Sequence, residues 1–375
     1  MISPKFFFDS LKELKINFFA GVPDSLLKNF CAYLFDNTSE KEHIICANEG
    51  NAIALAAGNY LATGNPSLVY MQNSGEGNAI NPLVSLIDKE VYNIPVLLLI
   101  GWRGEPGKYD EPQHKKQGRI TLSLLDALEI RYEIISENES EVVKLLDKAK
   151  KYMEETHEPF ALIAKSDLFE KYELKKTIEN NFKLTREQAI MMIIDSLGDE
   201  DIIVSTTGKA SRELFEYREF LKQGHEKDFL TVGSMGHSSS IALGIALSKQ
   251  DKNIYCLDGD GAAIMHMGSL AIIGEKSPSN LKHILLNNGC HESVGGQPTT
   301  GFDIDFNKIA KACGYNVVLS AETKEELIGC LKNIKCQEQL CFLEIKLNDK
   351  SRSNLGRPTI TPIENKKDFM NFLNK

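Results

Sequence analysis

One segment in the second half of the chain constrains the fold more than any other part of the sequence. Residues 259–261 read Gly-Asp-Gly and follow an apolar, strand-like run at 253–257. Residues 287–289 read Asn-Asn-Gly and follow a second apolar run at 283–286. The stretch between them, from Ala262 to about Glu275, has the pattern of a helix. Strand, helix and strand in this order predict a β-α-β unit of a parallel sheet.

The polar residues after these two strands indicate a metal and phosphate site. In an open parallel sheet, ligands bind beyond the carboxyl ends of the strands, where Asp260 and the two asparagines fall. Carboxylate and amide oxygens are ligands that Mg²⁺ prefers, and diphosphate oxygens complete its octahedron. The glycines let the backbone approach phosphate, and the following helix start offers free N–H groups. A Gly-Asp-Gly alone is most often a turn, so the paired asparagines one helix later carry the interpretation.

Composition limits the classes of protein to consider. The chain has 375 residues, of which 42% are hydrophobic and 25% charged, as in a soluble protein of two domains. Its net charge of −9 gives no basic surface for nucleic acid. The apolar run 94–102 is too short to span a bilayer, and charges at positions 9, 12 and 13 argue against a signal peptide. The eight cysteines have no metal-binding spacing, so we expect free thiols and a cytoplasmic protein.

The chain divides into two similar halves that alternate strand and helix. In residues 1–165 we predict strands at 18–21, 44–47, 67–72, 95–101, 132–135 and 160–165, with helices such as 52–61 and 139–152 between them. In residues 185–347 we predict strands at 202–205, 229–232, 253–257, 283–287, 317–320 and 342–346. The polar stretch 166–184 is a predicted linker, and 348–375 a C-terminal tail. The fold class is therefore α/β, with two doubly wound parallel-sheet domains.

The Gly-Asp-Gly and Asn-Asn pair resembles the signature of thiamine diphosphate-dependent enzymes. The resemblance implies that Asp260 and the Asn288 side chain bind Mg²⁺, with the backbone carbonyl of Cys290 as a third ligand. Further cofactor contacts would come from the residues around this motif, which are Asp258, Gly259, Gly261 and Ala262. Of these, Asp258 is a carboxylate beside a metal ligand and would orient it. The resemblance also makes 1–165 the pyrimidine-binding domain and 185–347 the diphosphate-binding domain.

Most decarboxylases of this family carry a third domain between the other two, and this chain has no room for one. That departure is typical of a short branch of the family, the phosphonopyruvate and sulfopyruvate decarboxylases. Three strings resemble that branch: Gly-Val-Pro-Asp-Ser at 21–25, Asp-Glu-Pro-Gln-His at 110–114, and Ser-Arg-Ser-Asn-Leu-Gly-Arg-Pro at 351–358. The resemblance covers nearly the whole chain.

Glu49 is the predicted activating residue for the cofactor. It precedes a small-residue helix, where an acid also suits the helix dipole. The string Glu-Gly-Asn-Ala at 49–52 resembles the family segment whose glutamate hydrogen-bonds the pyrimidine ring. That role needs a carboxyl group with a raised pKa in a dry site. The resemblance further implies a homodimer or homotetramer in which Glu49 serves the cofactor held by another subunit.

The two strings of the first half supply predicted catalytic residues. Asp24 follows the first strand, where it also suits a helix N-cap. His114 lies where relatives carry catalytic histidines and would give or take a proton near neutral pH. Because the net charge disfavours anions at long range, local cations must hold an anionic substrate, and Arg103, Lys115 and Arg119 are the candidates.

In the second half, the segment Gly233-Ser234-Met235-Gly236 resembles a cofactor-contacting segment of the family. The Gly233 carbonyl would accept a hydrogen bond from the pyrimidine amino group, and Met235 would wedge between the two cofactor rings. Most methionines only fill the core, so the predicted cofactor contact of Met235 depends on the resemblance. Glu213, with its neighbour Lys209, follows the first strand of this half and is a further predicted site residue, although an acid there also suits the helix start. Arg352 and Arg357 in the tail suit bidentate phosphonate contacts.

The predicted reaction is non-oxidative decarboxylation of 3-phosphonopyruvate to phosphonoacetaldehyde and CO₂ in phosphonate biosynthesis, with thiamine diphosphate and Mg²⁺. Sulfopyruvate decarboxylation is the alternative, because sequence does not give the charge of the substrate pocket. A carboligase and a non-catalytic cofactor-binding protein are the remaining hypotheses. The joint presence of Glu49, Asp260 and Asn288 argues against the last. No partner other than the small anionic 2-oxo acid and further copies of the chain is expected, neither nucleic acid nor membrane.

Overall fold

The computed structural model describes residues 1–176 and 180–375 and consists of two compact units. The first comprises Met1–Thr177 with His291–Gln297, and the second Ile178–Cys290 with Pro298–Lys375. Of the predicted linker 166–184, positions 177–179 lie outside the described residues. No helix in the two described ranges is long and apolar enough to cross a membrane.

The first unit is a six-stranded parallel sheet with helices on both faces. Its strands are β1 Phe19–Gly21, β2 His43–Ile45, β3 Ser67–Gln72, β4 Val96–Gly101, β5 Arg131–Ile134 and β6 Phe160–Ala164. Its helices are α1 Pro4–Glu13, α2 Lys28–Asn37, α3 Glu49–Thr63, α4 Glu76–Ser85, α5 Pro112–Ala127 and α6 Glu139–Thr156. The strand order across the sheet is β2-β1-β3-β4-β6-β5.

The second unit repeats this architecture. Its strands are β7 Ile202–Ser205, β8 Asp228–Leu230, β9 Ile254–Gly259, β10 Leu281–Asn287, β11 Val317–Ala321 and β12 Cys341–Lys346. Its helices are α7 Arg186–Ser196, α8 Lys209–Phe220, α9 Ser238–Ser248, α10 Asp260–Met265, α11 Gly268–Lys276, α12 Phe306–Cys313, α13 Lys324–Lys335 and α14 Pro362–Leu373. Taken from the β8 edge, the order is β8-β7-β9-β10-β12-β11, which matches the first unit strand for strand.

The chain forms these elements for local and non-local reasons. Central strands such as β4 and β10 are buried along their whole length, as parallel strands covered on both faces must be. Helix α3 begins where the Asn48 side chain accepts the Asn51 N–H, and it ends at Gly64 in the left-handed conformation. Each sheet has an apolar cluster on either face, and every fully buried Leu, Ile or Phe contributes about 1.5–3 kcal/mol.

The strand order locates the site in each unit. In a sheet of order 2-1-3-4, the connections from the first and third strands leave in opposite directions, and ligands bind at that switch point. In the first unit it lies beyond the carboxyl ends of β1 and β3, where Asp24 and Gln72 fall. In the second unit it lies beyond β7 and β9, where Gly259 and Asp260 fall.

The fold class predicted from sequence is confirmed, and the structure differs from expectation at the following three elements. The predicted helix from Ala262 to about Glu275 is wrong in its continuity, because the helix is interrupted at His266 and Met267. Strand β9 also runs past Leu257 to Gly259, so Asp258 belongs to the sheet. The region predicted as a tail contains α14. Its Asn365 side chain accepts a hydrogen bond from the Leu230 N–H and donates one to the Asp228 carbonyl, both in β8.

Candidate active site

The three predicted metal ligands of the second unit lie together. Asp260 begins α10 directly after β9, and Asn288 and Cys290 follow β10. The Asn288 side-chain oxygen lies 3.2 Å from Asp260 Oδ1 and 3.1 Å from the Cys290 carbonyl oxygen. Three oxygens converge without a hydrogen between them, which is the donor set that a hard cation such as Mg²⁺ requires. With the amide turned over, its NH₂ group donates to both partners instead.

Asp260 is buried, and its second oxygen is already held. The Thr299 hydroxyl donates a hydrogen bond to Asp260 Oδ2, which leaves Oδ1 facing the other two ligands. Burial raises the pKa of Asp260 to about 6, and the hydrogen bonds from Thr299 and from backbone N–H groups oppose that rise. A divalent cation at Oδ1 would favour the charged carboxylate and lower the pKa again.

Sequence reasoning missed the residues that surround these ligands. Thr299 and Gly301 lie far from the motif along the chain, and a Cβ atom at Gly301 would come within 2.5 Å of Asp260 Oδ2. Asn287, the first of the paired asparagines, donates to the Gly301 carbonyl at 2.7 Å and to Glu344 Oε1 at 2.8 Å. Burial raises the pKa of Glu344 on β12. No sequence signal marks Thr299 or Glu344, because they meet the motif only in the folded chain.

The segment 233–236 lies against the start of α10. Ser234 and Gly236 have φ angles of 54° and 83°, so the backbone turns sharply on either side of Met235. A Cβ atom at Gly236 would lie 2.9 Å from the Ala262 carbonyl oxygen, which shows how closely the segment approaches the Gly-Asp-Gly helix. The structure thus brings Met235 and its glycines to the same side of this unit as Asp260.

Glu213 and the tail arginine are engaged in ion pairs. Both carboxylate oxygens of the buried Glu213 accept hydrogen bonds from Arg186, at 2.7 and 2.8 Å. A catalytic role for Glu213 would require that pair to open. Lys209 donates to the Ser351 hydroxyl at 2.7 Å, and Arg352 bridges Glu187 and Glu216.

In the first unit, Glu49 occupies a tight, dry cradle. It begins α3 and is only 5% exposed, and burial raises the pKa of its carboxyl group. Asn78 of α4 donates to Glu49 Oε2 at 2.7 Å. Gly75 lies against the other face, since a Cβ atom there would come within 2.6 Å of Glu49 Cγ. The cradle therefore selects glycine at position 75 and holds a carboxyl group that stays protonated more readily than usual.

A second carboxyl group lies at the switch point of this sheet. Asp24 is fully buried after β1, and Gln72 of β3 donates to its Oδ1 at 2.5 Å. Its Oδ2 has no hydrogen-bond partner within the described parts of the chain. Burial raises the pKa of Asp24, with the Gln72 hydrogen bond and the Arg103 charge acting against it. An unpaired oxygen on such a group can exchange a proton with a substrate.

The loop between β4 and α5 is organised around Arg103. Its guanidinium pairs with Asp110, with Nε 2.8 Å from Oδ2, and donates to the Ser25 hydroxyl at 2.8 Å. His114, in the first turn of α5, has its pKa lowered by burial and by the Arg103 charge. Its Nδ1 has no hydrogen-bond partner among the residues described. The remaining predicted cations, Lys115 and Arg119, are exposed on α5.

Glu76 is a buried acid that sequence reasoning missed. It begins α4 between Gly75 and Asn78, both of which contact Glu49. Burial raises the pKa of Glu76 to about 8, and its Oε1 is unpartnered in the described ranges. The described part of the first unit therefore holds three buried carboxyl groups with raised pKa, and such perturbed groups are typical of active sites.

Comparisons with known proteins identify the family. Residues 4–127 match the thiamine pyrophosphate enzyme N-terminal TPP-binding domain, and residues 206–345 match the C-terminal TPP-binding domain. A phosphonopyruvate decarboxylase from Streptomyces viridochromogenes is 31% identical, with 97% of this chain and 93% of the relative aligned. The chain belongs to the thiamine diphosphate-dependent decarboxylase family. A decarboxylase of the same name from Streptomyces hygroscopicus is 30% identical over 99% of this chain and 94% of its own.

A sulfopyruvate decarboxylase is similar to the same extent. The enzyme from Methanosarcina acetivorans is 30% identical, with 97% of this chain and 95% of the relative aligned. The cofactor of the family, thiamine diphosphate with Mg²⁺, fits the residues of this decarboxylase. The converging oxygens of Asp260, Asn288 and Cys290 suit the metal, and the buried carboxyl of Glu49 suits a pyrimidine nitrogen.

Proposed function

We propose that this enzyme decarboxylates 3-phosphonopyruvate to phosphonoacetaldehyde and CO₂ without oxidation, as a step of phosphonate biosynthesis. The observation that carries the choice of substrate is near-full-length similarity to phosphonopyruvate decarboxylase, at 31% identity over 97% of the chain. The alignment also covers 93% of that relative. The Arg103 loop described above supports an anionic substrate.

Thiamine diphosphate, when bound, supplies the nucleophilic carbon and accepts the electrons released with CO₂. The chain's own residues bind and position it. Asp260, Asn288 and the Cys290 carbonyl hold the metal, and Gly259, Gly261, Ala262 and Asp258 surround the diphosphate. The Gly233 carbonyl and Met235 would contact the pyrimidine part of the cofactor. Glu49 would hold a proton for a pyrimidine nitrogen, and its raised pKa supports that role.

Residues of the first unit handle the substrate's charges and protons. Asp24 and His114 transfer protons to and from the substrate, supported by an unpaired buried atom on each, Oδ2 and Nδ1. Arg103 supplies the cation for the anionic head group, because Lys115 and Arg119 are exposed. Glu213 supports the site indirectly through its pair with Arg186.

The assembly and the domain roles belong to the same proposal. Residues 1–165 bind the pyrimidine, 185–347 bind the diphosphate and metal, 166–184 link them, and 348–375 form the C-terminal segment. The enzyme works as a homodimer or homotetramer with its active site at the subunit interface. Leu55 and Leu61 of α3, which are 40% and 74% exposed, support this because α3 begins with Glu49. The eight free thiols support a cytoplasmic location.

The substrate is tested by competition between oxo acids. Purified enzyme with Mg²⁺ and thiamine diphosphate receives 3-phosphonopyruvate, sulfopyruvate or pyruvate, and aldehyde is followed through an NADH-coupled alcohol dehydrogenase. We expect kcat/KM to be highest for phosphonopyruvate. Preference for sulfopyruvate would overturn the substrate and keep the reaction class.

Sulfopyruvate decarboxylation is the second candidate function. Similarity to the Methanosarcina acetivorans enzyme, at 30% identity over 97% of the chain, favours it almost as strongly. The two head groups differ in charge, since phosphonate carries up to two negative charges and sulfonate one. A rise in kcat/KM as the phosphonate loses its second proton would support phosphonopyruvate, and sulfopyruvate would show no such rise.

A further inference from the structure

A buried chain of side chains runs behind the metal-binding turn. Asp258 is the last but one residue of β9, directly before Gly259, and is completely buried. Its Oδ1 accepts the Gly259 N–H at 3.0 Å and the Ser238 hydroxyl at 3.1 Å. One carboxylate oxygen therefore ties the turn that presents Asp260 to the first residue of α9.

The other oxygen of Asp258 faces a histidine. His283 Nε2, on the neighbouring strand β10, lies 3.4 Å from Asp258 Oδ2, and both side chains are almost fully buried, at 0% and 1% exposure. Neither atom has a hydrogen-bond partner elsewhere in the described residues. The two atoms thus face each other at ion-pair distance, in surroundings where an uncompensated carboxylate is costly.

Tyr315 sets the orientation of that histidine. Its hydroxyl lies 2.9 Å from His283 Nδ1. Tyr315 is buried and lies in the connection from α12 to β11. Burial holds the pKa of Tyr315 far above its usual range, so the hydroxyl keeps its proton and is able to donate a hydrogen bond to Nδ1. With Nδ1 accepting that hydrogen bond, neutral His283 carries its own hydrogen on Nε2, the ring nitrogen that lies 3.4 Å from Asp258 Oδ2.

The chain ends at two parts of the cofactor site. Gly259 and Asp260 form the metal turn, and Ser238 is separated by one residue, His237, from the segment 233–236 that contains Met235. The Asp258 carboxylate links the two through a single oxygen atom. A change at Tyr315 would move this link without touching the metal, the cofactor or the substrate.

We propose that Tyr315, His283 and Asp258 form a buried chain of positioning residues that fixes the metal turn and, through Ser238, the start of α9. Partners that orient metal ligands in this way typically change metal affinity by about 10–100-fold when removed. The competing explanation is that the three residues only stabilise the core. Cofactor affinity separates the two, because a purely stabilising hydrogen bond would not alter it.

The first unit offers a matched control for this experiment. His43 Nε2 lies 2.8 Å from the Tyr70 hydroxyl, and both residues are buried. Tyr70→Phe therefore removes the same buried Tyr–His hydrogen bond as Tyr315→Phe, but no carboxylate or metal ligand follows it. Both variants should lose a similar amount of thermal stability.

The test measures binding of Mg²⁺ by calorimetry at saturating thiamine diphosphate, so it does not depend on the substrate. We expect Tyr315→Phe to weaken Mg²⁺ binding by about tenfold and Tyr70→Phe to leave it unchanged. His283→Gln should weaken it further, and Ser238→Ala should lower cofactor affinity with less effect on the metal. If His283→Gln fails to fold, Tyr315→Phe still decides, because it deletes only one hydroxyl group.

Two results would overturn the proposal. Unchanged Mg²⁺ affinity in Tyr315→Phe, with stability lost as in Tyr70→Phe, would leave the chain a core element only. Cys256 also lies in this cluster, with ligand atoms of Cys256, Asp258 and His283 all within 4.8 Å of one another. One transition-metal ion per chain in the purified protein, lost in His283→Gln, would make the cluster a metal site instead.

Discussion

Substitution of Gly75 by alanine should lower activity about 100-fold while leaving the metal site intact. A Cβ atom at Gly75 would lie 2.6 Å from Glu49 Cγ and closer still to the carboxylate. Ordinary contact begins at 3.4 Å, so the Glu49 side chain must move by about 0.8 Å, the difference between 3.4 and 2.6 Å, or more. The Gly75 backbone has φ −84°, which alanine adopts without strain, so the effect comes from the side chain alone.

The expected magnitude follows from that displacement. A shift of about 1 Å in a reacting group costs about 100-fold in rate, so kcat should fall by about that factor. Overpacking of a tight site costs about 1–3 kcal/mol of stability. The cost is no larger because the carboxyl group is the flexible end of its side chain and can move. Mg²⁺ affinity should be unchanged, since the metal ligands belong to other elements. Steady-state kinetics, thermal unfolding and calorimetry give the three values.

Gly77→Ala, on the same helix, is the matched control. A Cβ atom at Gly77 would meet nothing within 4 Å. The kcat of Gly77→Ala should equal that of the wild type. If Gly75→Ala retained kcat within about twofold of Gly77→Ala, then Glu49 would not need its present position, and the activating role would be wrong.

Four further predictions concern the metal, the stability of the metal-free protein and the substrate. Mg²⁺ affinity, measured by calorimetry, should fall about tenfold per pH unit below pH 6, because a proton competes for Asp260, whose pKa is about 6; a flat profile from pH 5 to 7 would contradict this. By the same pKa, the contribution of Asp260 to the stability of metal-free protein is present below its ordinary pKa and is lost as pH rises through about 6. Thr299→Val removes the hydroxyl that holds Asp260 Oδ2 and should weaken Mg²⁺ binding by about tenfold, whereas Thr300→Val, at the exposed neighbour, should not. Arg103→Lys should lower kcat/KM for phosphonopyruvate by about tenfold or more, because lysine lacks the planar, forked guanidinium group. Arg119→Lys, at an exposed position, should leave kcat/KM unchanged. Equal effects of the two substitutions would refute the role of Arg103 in binding the anionic head group of the substrate.

Much of the fold was predictable because its strands are local and strongly marked. The strand 67–72 was predicted with its observed bounds, since an apolar run follows a Gly-Asn-Pro turn. The break at His266 and Met267 was missed, because neither residue disfavours a helix and Gly268 comes only afterwards. Helix α14 did carry a signal, the capping box of Thr361 and Glu364, although 348–375 was predicted only as a tail.

The site residues likewise fall into two groups, those that a local sequence motif marks and those that only the packing of the folded chain brings to the site. Asp260, Asn288 and Cys290 are close in sequence to two strand ends, so the parallel sheet itself brings them together. Thr299, Glu344 and Gly75 approach the site from distant segments, and no local pattern marks them. The Glu213–Arg186 pair likewise depends on the packing of α7 against α8, which periodicity alone does not give.

The central claim is that a thiamine diphosphate decarboxylase site operates here through Glu49. The most direct measurement is aldehyde formation from 3-phosphonopyruvate by wild type and Glu49→Gln, with Mg²⁺ and thiamine diphosphate binding measured on both. We expect the wild type to release aldehyde only with the cofactor present, and Glu49→Gln to bind metal and diphosphate yet lose at least about 100-fold in kcat. Full turnover by Glu49→Gln, or no aldehyde from the fully loaded wild type, would contradict the account.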